Sequence, residues 1–229
     1  MLEIFRYDSK FMQIMLKLAD MIILNLLFVL FCIPIVTIGA AQAGLFSGIR
    51  QLMNKEDDSS CIKAFFRGFA SGFGKITLVH TCFLIVMALL GVNLYAVLVL
   101  KYAGFHAPVW MCIVALVICV LFHSMLAPFH SCFGCTAWQL VRNMYFVIMA
   151  YFIRSVIVAV LVWLPIGVFL LDAYFFMQGF PVWCLLYYSF AYLFVYSIMK
   201  KPFEGLKKDF LDAQKKTAEA DVPPEQAEV

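Results

Sequence analysis

The sequence predicts an all-α polytopic membrane helical bundle of about five spans, the first kinked or re-entrant, with interfacial amphipathic helices beside it. Three observations carry this. Of 229 residues, 65% are hydrophobic and only 14% charged, too little polar surface to cover a soluble globule. The apolar residues come in runs of about 20, the length a hydrocarbon core about 30 Å thick requires at about 1.5 Å per residue. Most Lys and Arg fall between these runs, as topology signals do, so the net charge of +3 is no nucleic-acid footprint. The runs lack the alternation of barrel strands, which leaves helices as the spanning form.

The first run, Leu18–Ser47, contains "CIPIVTIGAAQAG". A straight helix over it would be about 45 Å long, well beyond the hydrocarbon core. Pro34 removes a backbone donor and clashes with the preceding turn, which places a break near Leu30–Pro34; Thr37 is positioned to accept the role of donor to a freed carbonyl. After the break, Gly39 is followed by Ala40, Gly44 and Gly48 at intervals of four, a small-residue face on which another helix can approach closely. The competing reading is a discontinuous helix whose backbone ends line a transport site.

Four further runs follow: Ile76–Leu100, Pro108–Ala127, Arg154–Leu171 and Val182–Met199. Arg50, Lys55, Lys63, Arg67 and Lys75 mark the first loop as cytoplasmic, Arg142 the third, and Lys200, Lys201, Lys207 and Lys208 the tail. Trp110 and Trp183 open the third and fifth spans at the outer interface. Five simple spans with a cytoplasmic tail put the N-terminus outside, yet that segment carries Arg6, Lys10 and Lys17. An even number of crossings, or a re-entrant hairpin at the first run, would place it inside. No cleavable signal peptide is expected, since Glu3 and Asp8 interrupt the N-terminal region and no small-residue cleavage pattern follows.

Between the first two runs, Ile62, Phe65, Phe66, Phe69 and Phe73 share one helical face while Lys63 and Arg67 project from the other. Ser59 or Ser60 caps this segment. It reads as an interfacial amphipathic helix, held by apolar insertion and by anionic lipid. The tail repeats the pattern with Phe203, Leu206 and Phe210. Residues 1–203 are read as one transmembrane domain and 204–229 as a cytoplasmic amphipathic helix and disordered tail.

Lys17 and Asp20, one turn apart, are expected to pair. Eight cysteines are present, most of them single in apolar spans, where a thiol behaves as a small hydrophobe. His123, His130, Cys132 and Cys135 are soft ligands that could hold zinc or cycle as a redox pair, but the spacing matches no zinc motif, so no metal or cofactor is expected. Phosphate loop, metalloprotease helix and nucleophile elbow are all missing, and the chain is expected not to be an enzyme.

The segments Leu24–Phe46, Ala64–Lys75 and Ala127–Met144, above all Pro34, Thr37 and Gly39 with the spaced phenylalanines, resemble the YesL-type bacterial membrane family, a domain of unknown function; Cys132 and Cys135 depart from its pattern. The resemblance implies a place in the bacterial cytoplasmic membrane, an association with carbohydrate utilisation, and sugar ABC transporter subunits as partners. The expected function is an accessory or regulatory membrane protein that contacts such subunits or self-associates. The alternatives are a small transporter or channel with its site at the broken first helix, and a redox or metal protein using the C-x-x-C segment.

Overall fold

The computed structural model describes residues 10–54, 60–98, 106–133 and 136–220. Every regular element among them is helical. Among the described residues five helices are long and apolar enough to cross a membrane, over Phe11–Phe31, Lys75–Val97, Val109–Cys132, Phe152–Leu171 and Phe180–Lys208, as in a multi-pass membrane protein with an all-α bundle.

Helix α1 (Lys10–Phe31) stops where the sequence disfavours continuation. The Cys32 amide still reaches the Phe28 carbonyl at 2.9 Å, but the Ile33 amide has only the Leu30 carbonyl at 3.4 Å, and Pro34 is extended with ψ at 117°. A residue before proline is pushed out of the helical region, and proline itself offers no N–H. A single 3₁₀ turn, Ile35–Thr37, then leads into α2 (Ile38–Asn54). The Thr37 hydroxyl reaches the Phe31 carbonyl at 2.7 Å and the Pro34 carbonyl at 2.8 Å, so the open end of α1 is capped from across the break.

The run Leu18–Ser47 is therefore two helices, because α2 turns back along α1: Thr37 lies beside Phe31, and Gly48 lies against Leu24. Helix α2 is the centre of the bundle. Eleven of its 17 residues are buried, and it packs on α1, α3, α4, α5 and α10. Its small residues make this possible. A Cβ on Gly44 would stand 2.9 Å from the Phe65 carbonyl oxygen, one on Gly48 2.6 Å from a Leu24 methyl, and one on Gly39 2.7 Å from the His80 Cβ; Ala40 is fully buried.

Helix α3 (Cys61–Gly72), capped by the Ser60 hydroxyl, runs antiparallel to α2. Its Phe65 meets Gly44, and its Gly72 meets Ala43 and Ile76. Phe31 of α1 gathers Phe65, Phe66 and Phe69 at centroid distances of 5.9, 5.7 and 4.7 Å. The apolar face of α3 thus points largely into protein: Phe65 is fully buried, Ile62 and Phe69 are partly so, and Phe66 and Phe73 are exposed.

Helices α4 (Lys75–Leu98) and α5 (His106–Cys132) form an antiparallel pair through Phe83 with Phe122 and His80 with His123. Helix α6 (Ala137–Ala150), on a stretch the sequence analysis left between spans, is set by a capping box in which Thr136 and Gln139 bond reciprocally. Helix α7 (Phe152–Leu171) and short α8 (Ala173–Gln178), capped by Asp172, lead to α9 (Phe180–Val182). A π-helical turn at Trp183–Tyr187 then opens into α10 (Tyr188–Ala220). The boundary expected at 203 falls inside α10, which is helical beyond Thr217 as well; residues 221–229 lie outside the described residues.

Candidate functional site

A cavity of about 330 Å³ lies beside the helix break. The end of α1 gives it Phe28, Val29 and Cys32, and the start of α2 gives Ile38 and Gln42. His80 and Leu84 come from α4, His123 from α5, and Val162, Trp163, Pro165 and Ile166 from α7. Phe176, Phe180, Trp183, Cys184 and Tyr188 close it from the α8–α10 side. The walls are mostly aromatic and aliphatic, with the polar groups gathered where α2, α4 and α5 meet.

The polar centre is a pair of imidazoles. His80 Nδ1 and His123 Nε2 are 2.8 Å apart, and both rings are buried. Gly39 allows this, since any side chain there would strike the His80 Cβ and Cγ. The Ile35 backbone borders the same ring. The Trp163 indole stands edge-on to His123 at 5.2 Å.

At that separation one nitrogen must donate and the other accept. In a neutral pair, if His80 Nδ1 carries the shared proton, His80 Nε2 is an acceptor and His123 Nδ1 a donor; the other tautomer reverses both. The two outer nitrogens therefore always offer one donor and one acceptor. Among the described residues His123 Nδ1 has no hydrogen-bond partner, nor do the indole N–H groups of Trp163 and Trp183, and His80 Nε2 has none of good geometry, with the Ile35 backbone as the polar group nearest that ring. Buried polar atoms are normally satisfied. Ring nitrogens without a close partner among the described residues thus belong to four of the residues that line this apolar cavity.

The π turn that shapes the far wall is held from α1. The fully buried Asn25 donates through Nδ2 to the Cys184 carbonyl at 2.5 Å and the Trp183 carbonyl at 3.3 Å, and its Oδ1 accepts from the Ser189 amide at 2.9 Å. The Ser189 hydroxyl donates to the Met21 carbonyl at 2.7 Å. The Tyr187 hydroxyl donates to the Leu161 carbonyl at 2.6 Å, the carbonyl that Pro165, four residues on, cannot serve because proline has no N–H. Asn25, Tyr187, His80, Gln42 and Trp163 were not singled out as site residues by sequence. The one local clue was Pro165, which marks a carbonyl in want of a donor without saying which donor arrives.

Of the residues singled out, Gly39 abuts the His pair; Pro34 and Thr37 form the break behind it; Gly44 and Gly48 face α3 and α1, with Ala40 buried; and Ile62, Phe65, Phe66 and Phe69 lie on α3, with Phe73 at its C-cap, away from the cavity. The soft-ligand group is not assembled. His123 turns to His80, His130 lines a separate hollow with Arg67 and Ser71, and Cys132 lies 3.9 Å from an Arg50 nitrogen. Cys135 lies outside the described residues, among which no group of three metal-ligating side chains occurs. Asp20, on α1, lies beside the Cys61 thiol of α3. Burial first, and Asp20 second, push that thiol up to about 11.

No curated protein and no solved structure matches the chain. Residues 21–94, which hold the helix break, α2, α3, and His80 on α4, match the profile of a family described as Protein of unknown function, DUF624, and over that part the chain is similar to this family.

Proposed function

We propose that this chain is a non-catalytic protein of the bacterial cytoplasmic membrane that holds a small, largely apolar molecule with a hydroxyl or amide group, and acts through it as an accessory or regulatory component of a carbohydrate uptake system. The observation that carries the binding role is the buried His80–His123 pair on an aromatic-walled cavity, with His123 Nδ1 unpartnered among the described residues. A hydroxyl both donates and accepts, which is what the pair offers in either tautomer. The imidazoles are committed to each other, whereas activation of a nucleophile needs one aimed at a serine, cysteine or carboxylate; this supports binding over catalysis.

The carbohydrate association rests on the YesL-type resemblance, with transporter subunits as the partner class. A free sugar would bring more hydroxyls than the ring nitrogens and Gln42 can serve, so the link to sugars runs through a protein partner. Recovery of sugar-transporter subunits with the protein from native membranes is expected, and their consistent absence would remove the accessory role.

The cavity itself is tested with the full chain in nanodiscs carrying Trp110→Phe and Trp138→Phe, so that Trp163 and Trp183 report. Saturable binding of 2-phenylethanol is compared with that of propylbenzene, similar in shape but without the hydroxyl, after correction for partition into empty discs. The preference for the alcohol should fall about tenfold in His123→Leu, the size of one lost hydrogen bond in a dry site. An absent saturable signal, or the same preference in parent and variant, would defeat the reading.

A further inference from the structure

Helix α6 joins two apolar spans, α5 ending at Cys132 and α7 beginning at Phe152. Its 14 residues reach about 21 Å at about 1.5 Å per residue, short of a hydrocarbon core about 30 Å thick, so both spans meet it on one side of the membrane. One face is committed to the bundle: Leu140, Met144, Val147 and Ile148 are buried, and the helix packs on α4, α5 and α7. The other face is exposed and carries Trp138, Arg142, Tyr145 and Met149. Their spacing of four, three and four makes them one stripe along the helix. In a protein of this composition an exposed apolar stripe meets lipid by default; what marks this one is the cation within it.

No carboxylate is at hand for Arg142. From Ser59 to Leu171 the sequence holds no Asp or Glu, so neither α6 nor any of α4, α5 and α7 supplies one. Where α6 ends, its C-cap Tyr151 lies under a second exposed cation, the Arg154 guanidinium, 5.6 Å from the ring centroid. An indole and a phenol beside an arginine suit the headgroup layer, where such rings are apolar on one side and hydrated on the other. There anionic phosphate supplies the missing negative charge, and a long cationic side chain can reach it while its neighbours stay in the acyl boundary. Helix α3 lacks this arrangement, since Phe65 and Phe69 of its apolar face turn to Phe31 of α1.

We infer that α6 lies in the headgroup layer and binds anionic phospholipid there, with Trp138, Tyr145 and Met149 at the acyl boundary and Arg142 on a lipid phosphate. The inference does not depend on the ligand proposed for the cavity beside the helix break.

The test uses the full chain in nanodiscs of mixed phosphatidylcholine and phosphatidylglycerol, with bromine on the acyl chains of one lipid at a time to quench nearby indoles. Trp138 is 77% exposed, so Trp138→Phe disturbs little packing, and the quenching that this variant loses is that of Trp138. Bromine close to the headgroup should quench Trp138 more than bromine at the chain ends. At equal mole fraction, brominated phosphatidylglycerol should be preferred over brominated phosphatidylcholine by about fivefold, the scale of one cation near an anionic surface. Arg142→Gln should bring that preference close to unity. Lys63→Gln, which removes the same charge from α3, should leave it unchanged. Quenching of Trp138 by aqueous iodide but by neither brominated lipid would leave this face to water or to a protein, and overturns the inference. So do equal quenching by the two lipids, a preference that survives Arg142→Gln, and an equal fall in both charge variants.

Discussion

Asn25 is a neutral side chain in an apolar run, yet it satisfies two carbonyls and one amide of the π turn on α10. Leucine there would keep the branched outline, at a somewhat larger volume, and leave all three backbone groups without that partner. A single interhelical hydrogen bond in a membrane averages only about 0.6 kcal/mol, but each buried group left unsatisfied costs about 1–3 kcal/mol. Asn25→Leu should therefore destabilise the protein by about 2–3 kcal/mol in reversible unfolding from mixed micelles, and a loss below about 0.5 kcal/mol would show that the π turn does not depend on it. Residues like this were not legible beforehand for a physical reason. A lone asparagine in a span carries no charge signal, and His80 and His123 are 43 positions apart in sequence, so their contact exists only once α4 and α5 have paired. Thr37 was legible, because the proline beside it announces a carbonyl in need of a donor.

The break and the small-residue face were readable as patterns, and what the pattern withheld was direction. Spacing of four along α2 says that something packs closely; it does not say that α3 returns antiparallel to do so, nor that Leu24 and His80 occupy the other approaches. Helix α6 is shorter than the membrane-length runs by which spans are recognised, while the Thr136–Gln139 capping box that begins it is a local signal. The close approach of α2 and α3 sets a ranking of substitutions. Gly44→Leu places carbon against the Phe65 carbonyl, a backbone group that moves only if α3 moves. Thr37→Val gives up one hydroxyl that reaches the Phe31 and Pro34 carbonyls, worth about 1 kcal/mol. Melting in detergent should show Gly44→Leu as much the more damaging of the two. A carrier with its site at the break would invert this, with Gly44→Leu stable and Thr37→Val alone losing solute uptake into liposomes.

Five apolar spans with the tail expected in the cytoplasm would put the basic N-terminal segment on the opposite side. Helix α2 turns back along α1, which adds one reversal of chain direction to those five spans. Helices α1 and α10 are antiparallel, with Asn25 beside Cys184 and Met21 beside Ser189, and the Lys10 end of α1 shares a side with the far end of α10. In a cysteine-free background, Lys10→Cys and Lys208→Cys should both resist an impermeant maleimide in intact cells and both react after permeabilisation; reaction of one alone from outside would break this arrangement. The reversal was hidden because α2, with Gln42, Arg50 and Gln51 among small residues, lacks the apolar length by which spans are recognised. That same poverty governs biogenesis. A segment so weakly apolar gains little from lipid when it leaves the ribosome, and although α1 and α3 shelter it first, part of its cover comes from helices made later: α5 supplies Ser131 against Ala43 and Ser47, and α10 supplies Tyr192 and Tyr196 against Phe46. The burial of α2 is then completed only when α10 arrives, and truncation before α10 should leave a protein that cellular quality control degrades faster than the full chain in a pulse-chase.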